Sequence, residues 1–158
     1  MPLGFQHIAG LKIGHAQDDA ALTGCTVLLA EAGMVAGCDI RGGAVGERQL
    51  ETIRPGHLVD RIHALVFAGG SAYGLEAAAG VMRWLEERGI GFDTGVARVP
   101  IGPAAILFDL RIGDPTRRPD AAMGYAAAQA AVEAPVREGN VGAGTGATVG
   151  KQIGRAHV

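Results

Sequence analysis

Glycine constrains this chain more than any other residue. There are 26 in 158 positions, and they fall in blocks at 42–46, 69–74 and 139–150 rather than at a fixed period. The lack of a three-residue period excludes a collagen-like helix. Blocks without Cβ atoms mark backbone that runs close to other backbone or to a ligand. Aromatic residues make up 4%, so the core must be built from Ala, Val, Leu and Ile, whose small side chains let elements pack closely. Hydrophobic residues reach 48%, which separates the chain from disordered sequences. The length fits one domain with a single core.

A formal net charge of −2 makes no positive field for a phosphate backbone, so no nucleic acid partner is expected. No apolar run reaches the length of a membrane span. Residues 1–20 hold no basic segment followed by an apolar one. A cytoplasmic protein without a membrane partner is expected. The two cysteines, Cys25 and Cys38, sit in neighbouring apolar runs and can face each other across a hairpin. They read as reduced core residues, with a redox pair as the alternative. No Cys or His spacing reads as a zinc site, and neither metal nor cofactor is expected.

Residues 7–14 read as a short strand with a glycine break, and 24–30 as a second. Glu31-Ala32-Gly33 reads as a turn and 34–40 as a return strand, giving a hairpin over 25–40. The run 62–68 (IHALVFA) reads as a strand covered on both faces. A helix is predicted over 75–88, with Leu75, Ala78, Ala79, Met82 and Leu85 on its apolar face. The run 104–110 reads as another buried strand. A second helix is predicted from Pro119, as first helical residue, to about Glu133. Helices alternating with strands predict an α/β layered domain.

The ending Gly150-Lys151 suggests a P-loop, but the pattern fails. Position 145 is Thr where Gly is required, and Gln152 replaces the hydroxyl that would bind magnesium. The dinucleotide fingerprint fits at Gly142 and Gly144, with Ala147 third, but no strand precedes it. Gly69-Gly70-Ser71-Ala72-Tyr73-Gly74 has better context, between a buried strand and a helix start. Such a turn can aim backbone N–H groups at an anion or an oxyanion. It can equally be a tight turn that uses glycine for geometry alone.

The strings TGCTVLLAEAG, DIRGGAVGERQLE, HALVFAGGSAYGLEAAAGVMRWLEERG, VPIGPAAILFDL and GNVGAGTGATVGK, in this order, resemble the L-aminopeptidase/D-esterase family. That family includes β-peptidyl aminopeptidases and hydrolases of nylon oligomers. The resemblance runs from about Ile8 to Lys151. It implies an αββα sandwich of the aminopeptidase/ornithine acetyltransferase-like type, incomplete in this chain. It also implies a precursor that cuts itself once and frees a Ser or Thr as the N-terminal nucleophile of a second segment. That residue's own amine can act as base. The partners implied are the missing C-terminal β-segment, a short peptide or amide substrate and, when complete, further copies in a homo-oligomer.

On this view residues 1–152 are the α-segment, and the nucleophile is not in the chain. Ile153–Val158 matches the translation of a widely used sequencing-adapter sequence and is expected to be a non-native tail. A natural separate α-chain ending here is the alternative. The chain alone is expected to be inactive.

Tyr73 aligns with the tyrosine of the family's GGSxYGL-type motif, as an oxyanion donor or as a packing residue at a helix start. Asn140 is a second oxyanion candidate, or a plain turn residue. Gly69, Gly70 and Ser71 are substrate-binding candidates. Ser71 lacks the final glycine of a nucleophile elbow and reads better as a helix N-cap. Arg41 can bind a substrate carboxylate or pair structurally. Asp109 and Asp114 can be carboxylate partners but, beside loops, read more simply as solvated; His63 reads as a satisfied core histidine, and Trp84 as core or interface. The rival functions are an ornithine acetyltransferase-like acyltransferase and a non-catalytic domain that binds through an unpaired sheet edge.

Overall fold

Two apolar runs, at 23–34 and 62–68, lie side by side at the centre of a five-stranded sheet. The structure is a computed structural model and describes residues 4–150. Lys151–Val158, including the tail expected to be non-native, lie outside the described residues.

The elements in chain order are β1 (Lys12–Asp18), β2 (Thr23–Met34), β3 (Glu47–Arg48), β4 (Ile62–Ala68), α1 (Ala77–Glu86), β5 (Phe92–Asp93), β6 (Arg98–Val99), β7 (Ala104–Ile106) and α2 (Ala121–Gln129). The main sheet has the order β1-β2-β4-β7-β3. β4 and β7 are parallel, joined by a crossover that contains α1. β1, β2 and β4 pair antiparallel. β5 and β6 form a separate ribbon.

The pleat sends alternate side chains to opposite faces. Cys25, Val27 and Leu29 of β2 lie opposite Ala68, Val66 and Ala64 of β4. All are buried, and they pack under Ala77, Ala78, Val81 and Leu85 of α1 and Ala127 and Ala128 of α2. The small core residues let the two helices come very close. A Cβ on Gly80 would overlap the carbonyl of Ala121, and one on Gly124 would overlap that of Ala77. The other face carries Thr26, Leu28, Leu65, Phe67 and Ala105, all half-buried. Among the described residues only one face of the central strands has helices on it, although the run at 62–68 predicts cover on both.

Several element boundaries differ from the sequence reading for local reasons. The hairpin over 25–40 does not form. β2 runs through Glu31 and Ala32, and Gly33, at a φ of +80°, coincides with a register shift rather than a turn. β2 pairs instead with the preceding strand β1, which begins at Lys12, after a single 3-10 turn at Phe5–His7. Cys25 therefore faces the helices, and burial pushes its thiol up to about 12. Cys38 lies in the following loop and donates from Sγ to the Leu50 carbonyl at 3.5 Å. The two thiols are free and do not pair.

α1 opens with a 3-10 stretch, Ser71–Glu76, before the α-helical turns begin. Ala79 is exposed, while Gly80, Val81 and Trp84 are buried, because α1 is covered by both the sheet and α2. α2 starts two residues later than predicted. Asp120 is its N-cap, accepting from the Met123 N–H at 2.8 Å, and the buried Pro119 precedes the cap. It ends at Gln129, and Val132 bridges to Ile13 at the edge of β1. β7 ends at Ile106, so residues 107–110 leave the sheet.

Candidate functional site

The C-terminal ends of β4 and β7 and the N-terminal end of β2 converge on Asp109. Its carboxylate is 3% exposed and holds two short bonds. Oδ2 accepts from the Thr23 hydroxyl at 2.6 Å, and Oδ1 from the Gly70 N–H at 2.6 Å. A Cβ on Gly69 would overlap Oδ2, and the backbone of Gly146 lies against the Asp109 side chain. One buried carboxylate thus ties the start of β2, the turn after β4 and the second glycine segment together. The sequence reading leaves Asp109 solvated, beside a loop. The signal that could have found it is a lone acid inside the apolar run at 104–110, which must be buried with partners if that run is buried.

The turn itself differs chemically from its sequence reading. Its successive N–H groups do not converge on an open point. Gly69 N–H donates to the Gly24 carbonyl at 2.9 Å, Gly70 N–H to Asp109, and Ser71 N–H to the Leu107 carbonyl at 3.0 Å. Gly70 has φ +79° and Ser71 has φ +56°, a left-handed geometry that costs a non-glycine residue about 1–3 kcal/mol. Those backbone bonds hold Ser71 there. Gly70 is the N-cap and Ser71 the first residue of the 3-10 stretch, so the N-cap reading of Ser71 is not met. Gly69 and Gly70 serve spacing, and what the turn presents outward is side chains.

Chief among these is Tyr73. It is 60% exposed. The Arg118 guanidinium lies over the ring, 4.1 Å from its centroid. The stem of Arg118 also packs against Gly70. The turn is therefore held by Asp109 from inside and by Arg118 from outside.

The second glycine segment docks on β1 and β2 through side chains. Gly142 N–H donates to Gln17 Oε1 at 2.7 Å, and Ala143 N–H to Thr26 Oγ1 at 3.0 Å. Thr26 Oγ1 lies 2.9 Å from His15 Nδ1. Nε2 is buried without a hydrogen-bond partner among the described residues. Burial lowers the His15 pKa; the Arg137 backbone opposes this and the Arg137 charge adds to it. His63 is also lowered, by burial first, and accepts from the Ile101 N–H at 3.3 Å, as a satisfied core histidine does. His15 and Gln17 carried no signal in the sequence, and both lie beyond the strand read over 7–14.

The remaining candidates lie apart from the turn. Asn140 is exposed in the loop before the 3-10 turn at Gly142–Gly144, and no bond joins it to Tyr73. Arg41 is exposed and pairs with Asp39 at 2.7 Å, the structural alternative. Trp84 is buried, with the Arg88 guanidinium 3.8 Å over its ring. Asp114 is in an exposed loop. Bonds from the Thr116 hydroxyl and N–H hold its carboxyl below the usual range, and Arg117 and Arg118 add to this. Among the described residues no group of three or more His, Cys, Asp or Glu is placed to hold a metal ion. No described helix is long and apolar enough to cross a membrane.

The model of peptidase family S58 matches residues 6–154. An uncharacterized aminopeptidase of Mycobacterium tuberculosis (strain H37Rv) is 47% identical over 153 residues, covering 90% of this chain and 44% of that protein. A 6-aminohexanoate-oligomer endohydrolase of Kocuria sp. is 38% identical over 142 residues, covering 90% of this chain and 38% of that protein. Among solved structures, a Burkholderia sp. β-aminopeptidase superposes with a TM-score of 0.66 at 23% identity, over 92% of this chain and 44% of that one. The L-aminopeptidase D-Ala-esterase/amidase of Ochrobactrum anthropi, described as a variant of the Ntn hydrolase fold, gives 0.69 at 19% identity, over 90% and 43%. The chain thus spans less than half the length of these relatives.

Proposed function

The chain belongs to peptidase family S58, and from that premise we propose that it is the N-terminal segment of a self-processing aminopeptidase or amidase. The complete protein releases N-terminal residues from short peptides, amides or esters by acyl transfer. The acceptor is the hydroxyl of a Ser or Thr that self-cleavage leaves at the start of a following segment, with its own amine as base. Aminopeptidase relatives at 47% identity, against 38–39% for the oligomer hydrolases, favour peptide substrates.

The observation that carries this reading is Tyr73, an exposed phenol on a turn whose backbone is anchored by a buried carboxylate. In the reaction the scissile carbonyl gains negative charge as the hydroxyl adds. A preset O–H donor stabilises that charge without reorganising. Since the N–H groups of Gly69, Gly70 and Ser71 are already engaged, the phenol is the donor this turn offers. Gly69 and Gly70 let the turn close on Asp109 and on Arg118, and Ser71 is the substrate-binding candidate beside them. Asn140 is the second donor in this reading. Arg41, paired with Asp39, is left out of the site.

The test uses the full-length protein and an L-aminoacyl p-nitroanilide. Hydrolysis is expected, and Tyr73→Phe should lower kcat about 10²- to 10³-fold with little change in KM. Acetyl transfer to ornithine without anilide hydrolysis would overturn the reading in favour of an acyltransferase.

A further inference from the structure

Arg118 makes no ion pair with a described carboxylate, although its charge helps to lower the nearby Asp114 carboxyl. Three carboxylates share its corner of the molecule, and each is engaged elsewhere. Asp18 pairs with Arg117. Asp114 accepts from the Thr116 hydroxyl at 2.7 Å and the Thr116 N–H at 2.8 Å. Asp120 caps α2. No described carboxylate lies within ion-pair distance of Arg118, whose Nη1 donates to the Pro115 carbonyl at 2.9 Å. A guanidinium has five N–H donors in a planar fork that matches a carboxylate.

Its placement is as specific as its chemistry. The side chain runs from Gly70 to the ring of Tyr73, so its head stands beside the phenol. Arg118 also lines a cleft of about 330 Å³, together with Asp18, Thr23, Thr116, Arg117 and Asp120, that does not include Tyr73. The guanidinium stacks on the ring that carries the phenol, 4.1 Å from its centroid, so a group held by the fork and a group held by the phenol are close neighbours. Packing against Gly70 and the ring fixes it there before any ligand arrives.

We propose that Arg118 is a specificity-determining residue that receives the free carboxylate of a short-peptide substrate, one residue beyond the scissile carbonyl. This rests on the aminopeptidase reading with Tyr73 at the oxyanion. It narrows the substrate class to peptides of dipeptide size with an unblocked C-terminus. The fork takes the carboxylate in two parallel N–H···O bonds, and the leaving half of the substrate is thereby aligned.

The test compares a dipeptide acid with its C-terminal amide, using the full-length protein. The acid is expected to have a kcat/KM about tenfold or more above the amide. Arg118→Gln should erase that preference, chiefly by raising KM for the acid. Arg118→Lys should keep part of it, because the charge remains and the fork does not. Self-cleavage of each variant, read by intact mass, reports that it has folded. Equal use of acid and amide by the unaltered protein, while it cleaves an aminoacyl p-nitroanilide, would overturn this inference alone. So would an Arg118→Gln variant that loses rate on both substrates but retains the preference, which would make Arg118 a support for Tyr73. If neither dipeptide nor anilide is cleaved, the aminopeptidase reading fails and this inference falls with it.

Discussion

Asp109 binds Thr23 and Gly70 with two bonds of 2.6 Å inside a site that excludes water. Removing the carboxylate leaves a buried hydroxyl and a buried N–H without partners. Asp109→Ala is therefore expected to cost about 3 kcal/mol or more, measured by denaturant unfolding of the full-length protein. Asp109→Asn should cost less, since its amide oxygen can still accept from Gly70. Equal losses for the two would contradict the assigned roles. Two histidines set a pH dependence. His15 and His63 both have pKa values lowered by burial, so the folded state holds fewer protons than the unfolded state below pH 6.5. Their contribution to stability is present above about 6.5 and fades as pH falls through the lowered values. Tm should drop between pH 7.5 and 5.5, and His15→Gln should shrink the drop; a Tm independent of pH would contradict this. Tyr73 and the Gly69–Ser71 turn were legible in the sequence because their motif is local. Asp109 and Arg118 were not, since each gains its role from residues more than thirty positions away.

At the scale of elements, close contact between α1 and α2 decides much of the packing. Gly80 faces the Ala121 carbonyl and Gly124 the Ala77 carbonyl, so a methyl at either position pushes the helices apart. Gly→Ala inside a helix ordinarily gains about 1 kcal/mol in propensity. Here over-packing against backbone, typically 1–3 kcal/mol, is expected to outweigh it. Gly80→Ala and Gly124→Ala should both unfold at lower denaturant, and a stabilised variant would show that the helices can separate freely. The strand at 62–68 was legible from its apolar run, and α1 from helical spacing. The hairpin over 25–40 misled because Gly33 reads as a turn residue and acts as an irregularity within one long strand. Short polar-flanked elements such as β3, β5 and β6 have too few residues for a period to show.

For the whole molecule, the sheet has two unequal faces. Helices seal one, while Leu28, Leu65 and Phe67 stay half-buried on the other. A sandwich in which a second sheet covers that face accounts for apolar side chains there, and agrees with a chain that spans 44% of its aminopeptidase relatives. Residues 1–158 purified alone are expected to be inactive and to self-associate through this face, as read by light scattering; a monomeric, active chain would count against the sandwich. The family resemblance was legible because its motifs are spread across most of the chain. The inequality of the faces was not, because an apolar run reads alike whether its second cover is a helix or another sheet. The central claim is that this segment works with a nucleophile uncovered by self-cleavage. Intact-mass analysis of the purified full-length protein under denaturing conditions tests it most directly. Two fragments whose masses sum to that of the precursor, the second beginning with Ser or Thr, are predicted; a single uncut chain that hydrolyses aminoacyl p-nitroanilides would contradict it.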